Sequence, residues 1–208
     1  SSIDQLGRYA YDNQPKITKW NLTRFAECLI PLISENEDEA IKLATEALDK
    51  FELNYETKWL NMMRDKLGLY GEDKDDKNLI MELLDWMQKN KVDYTNTFIF
   101  LMNKTIENSE AYNNTDFTLW KIKWMKRLTM FNNSHDKSIA LMHSTNPMVI
   151  PRNHKVEEAL TLANNGDLTL FNKLIGILKN PYQVNNKDLE FMSSTRHINK
   201  KYQTFCGT

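Results

Sequence analysis

Glycine, proline and cysteine are scarce in this chain, whose 208 residues contain six, five and two of them. So few turn-forming residues favour long helices over many short strands, because every connection between strands needs its own turn. Two cysteines are also too few for a fold built on disulfides. Hydrophobic residues make up 41% and charged residues 26% of the chain, which is typical of a globular domain with a sizeable core.

The sequence also has no excess of either charge and no long apolar run. Its formal net charge is −1, so the chain as a whole has no electrostatic attraction for nucleic acid or for an anionic membrane. No segment approaches the roughly 18 apolar residues that a membrane span requires, and the first residues lack the charged-then-apolar pattern of a leader. We therefore expect a cytoplasmic protein that binds neither nucleic acid nor membrane.

Apolar residues recur at three- and four-residue steps along most of the chain, which is the period of amphipathic helices. One such stripe runs from Ile41 to Met63 and is followed by Gly68, a residue type that often ends a helix. Internal repeats and β-type alternation are both missing. The pattern predicts an all-α fold, a bundle of seven or eight helices around one core.

This period defines three segments of the chain. Residues 1–17 look irregular, residues 18–181 form the helical domain, and residues 182–208 form a polar tail that contains Cys206. Within the helical domain, Pro147 and Pro151 exclude helix between them, because each restricts its own backbone and that of the residue before it. Predicted helix N-caps are Thr18, Asp93, Asp116, Ser134 and Asn153, and Gly166-Asp167 is a predicted stop–start junction.

Motifs for nucleotide binding are absent from the sequence. A phosphate-binding loop needs clustered glycines, and only Gly68 and Gly71 are close together, without a Lys-Ser or Lys-Thr after them. The His-Arg-Asp and Asp-Phe-Gly motifs of kinases are missing as well. This chain alone therefore has no evident means of holding ATP, and we expect it to bind no cofactor.

The acidic run from Asp73 to Asp76 has two interpretations, a calcium loop and a solvated loop. An EF-hand loop that began at Asp73 would need glycine and glutamate where this chain has Asn78 and Leu84. The pattern therefore favours the solvated loop.

The basic run from Lys121 to Arg127 is interpreted either as a nucleic-acid patch or as the flank of a buried helix. Trp120, Trp124 and Leu128 fall on one helical face, whereas the cations point largely elsewhere. A core stripe with a solvated basic flank explains this pattern.

Histidine spacing does not predict a metal site. His135 and His143 are eight residues apart, and no histidine or cysteine stands at the paired spacing that zinc requires. We predict structural or surface roles for His135, His143, His154 and His197, and no metal site.

The two cysteines lie in different contexts. Cys28 is surrounded by Phe25, Leu29 and Leu32, so we predict that it is a small buried hydrophobic residue. Cys206 is third from the end of a polar stretch and is expected to be accessible. It is either an inert exposed thiol or a redox-sensitive one.

Seven short motifs, taken in order, resemble the C-terminal part of the SelO (YdiU) family. None is specific alone, but their order along nearly the whole chain is. The motifs are Gly7-Arg8-Tyr9-Ala10-Tyr11 with Gln14-Pro15, Trp20-Asn21-Leu22, Lys66-Leu67-Gly68-Leu69, Asp93-Tyr94-Thr95, Asn146-Pro147, Pro151-Arg152-Asn153 and Gly166-Asp167.

The resemblance implies a pseudokinase fold and transfer of AMP from ATP to protein hydroxyls. It implies that this chain corresponds to the C-terminal half of a kinase-like C-lobe plus a helical extension, with residues 1–17 as a remnant of the activation segment. In such proteins ATP and a divalent metal such as Mg²⁺ lie between the lobes, on residues upstream of the Gly-Arg-Tyr motif. No catalytic role therefore carries over to this chain.

The resemblance also bears on Cys206. Some family members have a C-terminal cysteine or selenocysteine that pairs with a cysteine just upstream of Gly-Arg-Tyr, which strengthens the redox interpretation. Two departures weaken the match. The family commonly has Ser-Asp shortly before Gly-Arg-Tyr, whereas this chain has a different spacing around Asp4, and it looks shorter than many relatives between Asn103 and Thr115.

Two hypotheses of function follow. In the first, the chain is part of a protein adenylyltransferase whose catalytic residues precede Ser1 and whose partners are its protein substrates. In the second, it is a stand-alone helical scaffold or protein-binding module without catalysis. A truncated C-lobe should expose an apolar face and tend to self-associate.

Overall fold

The computed structural model describes residue 4 and residues 6–102, 109–132, 134–183 and 185–193. These residues form eight α-helices and four short 3₁₀ helices, without a strand among them, so the predicted all-α class is confirmed. The α-helices are α1 (Gln14–Ile33), α2 (Glu37–Lys66), α3 (Asp76–Asn90), α4 (Tyr94–Leu101), α5 (Thr115–Leu128), α6 (His135–Thr145), α7 (Asn153–Asn164) and α8 (Thr169–Leu178). The 3₁₀ helices are Tyr11–Asn13, Ser109–Tyr112, Met130–Asn132 and Asn186–Met192.

The chain divides into two compact units rather than one. The first contains the described residues up to Leu60 and the second contains those from Asn61 onward, so the division falls inside α2. This division differs from the expected arrangement of all the helices around one core.

In the first unit, α1 begins at Gln14, four residues before the predicted cap at Thr18. Pro15 stands in the first turn of the helix, where the N–H that proline lacks would have no partner in any case. Residues 1–17 look irregular in the sequence, but at this position the fixed φ of Pro15 favours the helix. Asn36 then starts α2, because its side chain accepts a hydrogen bond from the Glu39 N–H at 3.0 Å.

Gly68 follows α2 in the second unit, as predicted. Its φ is +68°, and a Cβ at this position would lie 2.7 Å from the Ser138 carbonyl oxygen. The close approach of α6 therefore requires a glycine at this position.

An aromatic core lies between α3 and α5 of the second unit. Trp120 and Trp124 are buried and stacked at 6.0 Å, as the predicted stripe requires. Their indole N–H groups donate to the Leu79 and Leu67 carbonyls at 2.8 and 2.9 Å. The core therefore satisfies both polar atoms while it buries the rings.

Helix starts in the second unit agree with the sequence at two positions. Asp93 accepts from the Asn96 N–H at 2.9 Å and Ser134 accepts from the Lys137 N–H at 3.3 Å. The predicted caps at Asp116 and Asn153 are wrong, because each lies inside its helix.

The residues that replace those two caps differ in kind. Asn114 caps α5 through its side chain, which accepts from the Asp116 and Phe117 N–H groups. Arg152 occupies the N-cap position of α7 without a side-chain cap. Its side chain forms an ion pair instead.

The last part of the second unit is a pair of helices and a short buried segment. Gly166, at φ +87°, separates α7 from α8 as predicted. Phe191 and Met192 are buried, with 1% and 8% of their surface exposed. The loss of helical period after Pro181 did not predict this burial.

Candidate functional site

The Gly-Arg-Tyr segment of the first unit is a compact turn tied by side chains. The Asp4 carboxylate accepts hydrogen bonds from the Arg8 and Tyr9 backbone N–H groups, both at 2.8 Å. Gly7 has a φ of +66°, a conformation that residues with a side chain rarely adopt. Glycine and aspartate therefore fix the backbone of this motif.

Two amide side chains join the turn to the start of α1. Asn13 Nδ2 donates to the Gly7 carbonyl at 2.8 Å, and Gln14 Nε2 donates to the Tyr9 carbonyl at 2.6 Å. Gln14, a predicted motif residue, thus has a structural role, whereas Asp4 and Asn13 were missed. Aspartate and asparagine close to a glycine are typical of side-chain-stabilised turns, which is the signal that the sequence offers for Asp4 and Asn13.

The side chains of the same motif point outward. The Arg8 guanidinium lies 4.7 Å from the centre of the Trp20 ring and 5.7 Å from that of Tyr9. Tyr9 is 57% exposed and Trp20 is 49% exposed. The motif therefore combines a fixed backbone with side chains that are available for contact.

In the second unit, the loop that begins with Asn146-Pro147 is anchored in the core. Asn146 is 1% exposed, and its Nδ2 donates to the Lys66 and Met142 carbonyls at 2.8 and 2.9 Å. The Met148 N–H donates to the Pro181 carbonyl at 2.7 Å. The loop is non-helical, as Pro147 and Pro151 predicted.

Arg152 connects two family motifs that are 59 residues apart in the sequence. Its Nη1 and Nη2 donate to the two Asp93 carboxylate oxygens at 2.5 and 2.9 Å, and Nη2 also donates to Asn96 Oδ1 at 3.2 Å. This bidentate pair is largely buried. Asp93 therefore caps α4 and holds the start of α7 at once.

A second buried charge cluster is centred on Asp76. Arg64 Nε and Arg127 Nε each donate to this carboxylate at 2.7 Å. Arg127 also donates to the Tyr70 and Gly71 carbonyls at 3.0 and 3.1 Å. Burial opposes ionisation of Asp76, but hydrogen bonds from Arg127, the Asp73 N–H and Arg64 outweigh it and lower the pKa of the carboxyl.

This cluster corrects two predictions. Asp76 was assigned to a solvated loop, yet it is 1% exposed. Arg127 was assigned to a solvated basic flank, yet it is 5% exposed. Both residues fix the segment from Gly71 to the start of α3 against helix α5.

Lys66, in the last turn of α2, is a buried amine beside aromatic rings. It is 9% exposed, and its Nζ lies 4.4 Å from the Phe98 ring centre and 5.4 Å from that of Tyr94. Burial lowers the pKa of Lys66 to about 8. The rings offset part of the cost of burying the charge.

The described residues do not fit Mg²⁺-ATP. Among them, no group of three or more histidine, cysteine or acidic side chains could hold a metal ion. Protein atoms occupy the space beside the two neighbouring glycines. A Cβ at Gly68 would meet Ser138, and one at Gly71 would meet the Phe131 ring at 3.0 Å. No cradle for phosphate exists at this turn.

The histidines and cysteines are separate from these clusters. His135 is exposed and His154 is half-buried, and burial, then Lys155 and Arg152, lower the pKa of His154. Cys28 is exposed, so its predicted burial is wrong. Its thiol donates to the Arg24 carbonyl at 3.3 Å. His197 and Cys206 lie outside the described residues.

None of the helices in the described part of the chain is long and apolar enough to cross a membrane. The two sets of motif residues, in the turn at Gly7 and the loop at Asn146, belong to different units. Their described contacts are structural, apart from the outward side chains around Arg8.

Comparison with known proteins gives consistent matches along the chain. The family model described as protein adenylyltransferase SelO matches residues 1–179. A relative with the name "protein nucleotidyltransferase YdiU", from Pelagibacter ubique, is 84% identical over all 208 residues. Proteins of the same name from Alkaliphilus metalliredigens and Nitrosococcus oceani are 46% and 44% identical.

The match covers this chain fully but the relatives only in part. The chain spans 43% of the length of the Pelagibacter and Alkaliphilus proteins and 42% of the Nitrosococcus protein. Because the family model matches most of the chain and the identity to the Pelagibacter protein is high, the chain belongs to the SelO family.

Proposed function

We propose that this chain is the C-terminal helical portion of a protein adenylyltransferase, which moves AMP from ATP to serine, threonine or tyrosine hydroxyls of other proteins. In that reaction a bond forms between the acceptor oxygen and the α-phosphorus, and pyrophosphate leaves. Membership of the SelO family carries the proposal. The short share of each relative that the chain spans supports the interpretation as a portion of such an enzyme.

We infer that the catalytic and nucleotide-binding residues lie upstream of this chain. The absence of kinase catalytic motifs from its sequence supports this inference. So does the packing at Gly68 and Gly71, where protein atoms occupy the space that a bound phosphate would need. ATP and Mg²⁺ then bind the full-length protein rather than this portion of it.

The proposal gives the two units different roles. The turn formed by Gly7, Arg8 and Tyr9, with Gln14 and Pro15, is part of the activation segment that shapes the protein-substrate site. Its fixed backbone and exposed side chains support this role. The second unit corresponds to the C-lobe half and its extension, a scaffold that the Arg152–Asp93 pair stabilises.

Three further assignments remain proposals of the same account. Cys206 is a redox-sensitive thiol, the full-length enzyme works in the cytoplasm, and the isolated chain self-associates. Exposed apolar side chains in the first unit support self-association, since Phe25 is 60%, Leu53 is 67% and Leu32 is 81% exposed. Sedimentation velocity should show oligomers, and a monomer at all concentrations that binds no hydrophobic dye contradicts this assignment.

The test of the main proposal is label transfer from ATP that carries a radioactive α-phosphate. The 208-residue chain and the full-length gene product are compared side by side with candidate acceptor proteins. We expect label on the acceptors with the full-length product only. Label transferred by the chain alone contradicts the upstream location of catalysis, and label from neither favours the non-catalytic scaffold.

A further inference from the structure

Three side chains form one exposed surface in the first unit, which we call the Arg8 patch: Arg8, Tyr9 and Trp20. The guanidinium of Arg8 lies 4.7 Å from the centre of the Trp20 ring and 5.7 Å from that of the Tyr9 ring. Both aromatic residues remain about half exposed, 57% for Tyr9 and 49% for Trp20. Arginine, tyrosine and tryptophan are the residue types that contribute most to the affinity of protein interfaces.

The patch is held in place before any partner arrives. The Asp4 carboxylate fixes the backbone N–H groups of Arg8 and Tyr9, and Gln14 fixes the Tyr9 carbonyl. Trp20 stands on α1, close to the helix start that Pro15 defines. A surface organised in this way loses little conformational entropy on binding.

The positive charge around Arg8 favours a partner that carries negative charge. Within the part of the chain that the structure describes, no carboxylate pairs with the Arg8 guanidinium, because the nearby Asp4 carboxylate accepts from backbone groups instead. A second guanidinium, that of Arg24, lies 5.7 Å from the Trp20 ring, but it forms an ion pair with Glu27. From residue 4 to residue 24 the sequence has four cations and two acids: Arg8, Lys16, Lys19 and Arg24 against Asp4 and Asp12. Lys19 is paired with Glu52, so the preference for an acidic partner rests on the Arg8 guanidinium itself.

We propose that the Arg8 patch binds an acidic extended segment of the protein substrate, with a substrate carboxylate on Arg8 and apolar substrate groups on Tyr9 and Trp20. That the bound protein is a substrate rests on the proposed function. The preference for an acidic segment rests on the patch itself. Cations on the partner would meet the positive charge of the Arg8 guanidinium and be repelled.

Binding is tested without nucleotide, so its outcome does not depend on catalysis. The full 208-residue chain is titrated into two fluorescent 12-residue peptides of glycine, serine and tyrosine that differ only in four glutamates or four lysines. We expect the acidic peptide to bind more tightly and its affinity to fall with salt. Equal binding of the two peptides, tighter binding of the basic one, or no binding of either overturns the proposal.

Variants then locate the site. Arg8→Glu should weaken binding of the acidic peptide about tenfold, and Arg8→Lys should weaken it less, because lysine keeps the charge but stacks poorly. Lys58→Glu is the matched control, since Lys58 is exposed on α2 in the same unit and the charge change is identical. An equal loss with Lys58→Glu, or no loss with Arg8→Glu in a folded protein, overturns the proposal.

Label transfer by the full-length gene product tests the substrate part separately. Arg8→Glu should raise KM for an acidic peptide acceptor about tenfold and leave kcat within about twofold. Peptide binding without any transfer would contradict the proposed function and leave the Arg8 patch standing. Transfer that is unaffected by Arg8→Glu would contradict the patch as a substrate site and leave the proposed function standing.

Discussion

Arginine and aspartate meet in both units of this protein, with opposite results. In the second unit Asp76 is enclosed by Arg64 and Arg127, and all three side chains are at least nine-tenths buried. In the first unit the Asp4 carboxylate accepts from the Arg8 and Tyr9 backbone N–H groups, and the Arg8 side chain lies exposed over Trp20. The comparison teaches that the same residue types specify a fold where they are buried and offer recognition where they are exposed.

The largest effect is expected at the centre of the buried cluster. Asp76→Asn removes the charge that two buried arginines share, so it should lower the free energy of unfolding by about 3–5 kcal/mol. Urea denaturation measures this change, and Asp75→Asn, at an exposed neighbouring position, serves as its control. A loss below about 1 kcal/mol for Asp76→Asn would mean that the cluster does not hold the fold.

The same cluster predicts acid sensitivity. The folded pKa of Asp76 lies below its ordinary value of 3.8, so its stabilising contribution is complete above about pH 4 and is lost as the pH falls through the folded pKa. The wild-type protein should therefore lose stability below pH 4 faster than Asp76→Asn does. Parallel acid curves for the two proteins would contradict this contribution.

The Arg152–Asp93 pair should have the next largest effect. Arg152→Met leaves Asp93 without its bidentate partner, and we expect a loss of about 2–4 kcal/mol. Arg24→Met breaks an exposed pair with Glu27 and should cost less than about 1 kcal/mol. Equal losses for the two variants, measured by urea denaturation, would remove the distinction between buried and exposed pairs.

Replacing Lys66 should raise the free energy of unfolding rather than lower it, because burial of its charged amine destabilises the folded state. Its folded pKa of about 8 lies below the ordinary 10.5, so the folded state binds fewer protons than the unfolded state between these values. Its contribution to stability is therefore lowest below pH 8 and rises from pH 8 to 10.5. Lys66→Met should stabilise the protein by about 1–2 kcal/mol at pH 7.

The advantage of Lys66→Met should shrink as the pH approaches 10. Thermal melts of wild type and variant at several pH values measure it, with Lys58→Met as the exposed control on the same helix. A variant that is less stable than wild type at pH 7 would show that the cation–π contacts outweigh the cost of burial.

Arg8 should have the smallest effect on stability. Its side chain is exposed, so Arg8→Ala should change the free energy of unfolding by less than about 0.5 kcal/mol. A loss of more than about 1.5 kcal/mol in urea denaturation would show that Arg8 stabilises the fold, as Arg64 and Arg127 do. It would contradict the distinction between buried and exposed arginines.

The sequence predicts those features of the fold that depend on neighbours along the chain. Helical period predicts the all-α class, the Trp120–Trp124 stripe and the glycine stop at Gly68. Local capping chemistry predicts Asp93 and Ser134. Each of these rests on residues within about one helical turn, for which rules of period and capping are strong.

Features that depend on distant partners were missed or wrong. Asp76 lies in an acidic run that looks solvated, and its partner Arg127 is 51 residues away. Cys28 looks buried because its neighbours are apolar, yet Phe25 and Leu32 are themselves exposed. A stripe shows which face of a helix is apolar, but not what covers it.

The candidate site was predictable as a motif but not as a mechanism of recognition. Gly7, Arg8 and Tyr9 were found by resemblance, whereas the turn that Asp4 and Asn13 fix, and the stacking of Arg8 on Trp20, need coordinates. Side-chain direction in an irregular segment has no sequence period to reveal it.

One paired measurement tests the division between fold and recognition most directly. Urea unfolding and acidic-peptide binding are recorded for Arg8→Glu and Asp76→Asn in the 208-residue chain. We predict that Arg8→Glu unfolds like wild type but binds about tenfold more weakly. Asp76→Asn should unfold at lower urea yet bind normally in conditions where it is folded. If Asp76→Asn loses binding while folded, or if Arg8→Glu keeps it, the account is contradicted.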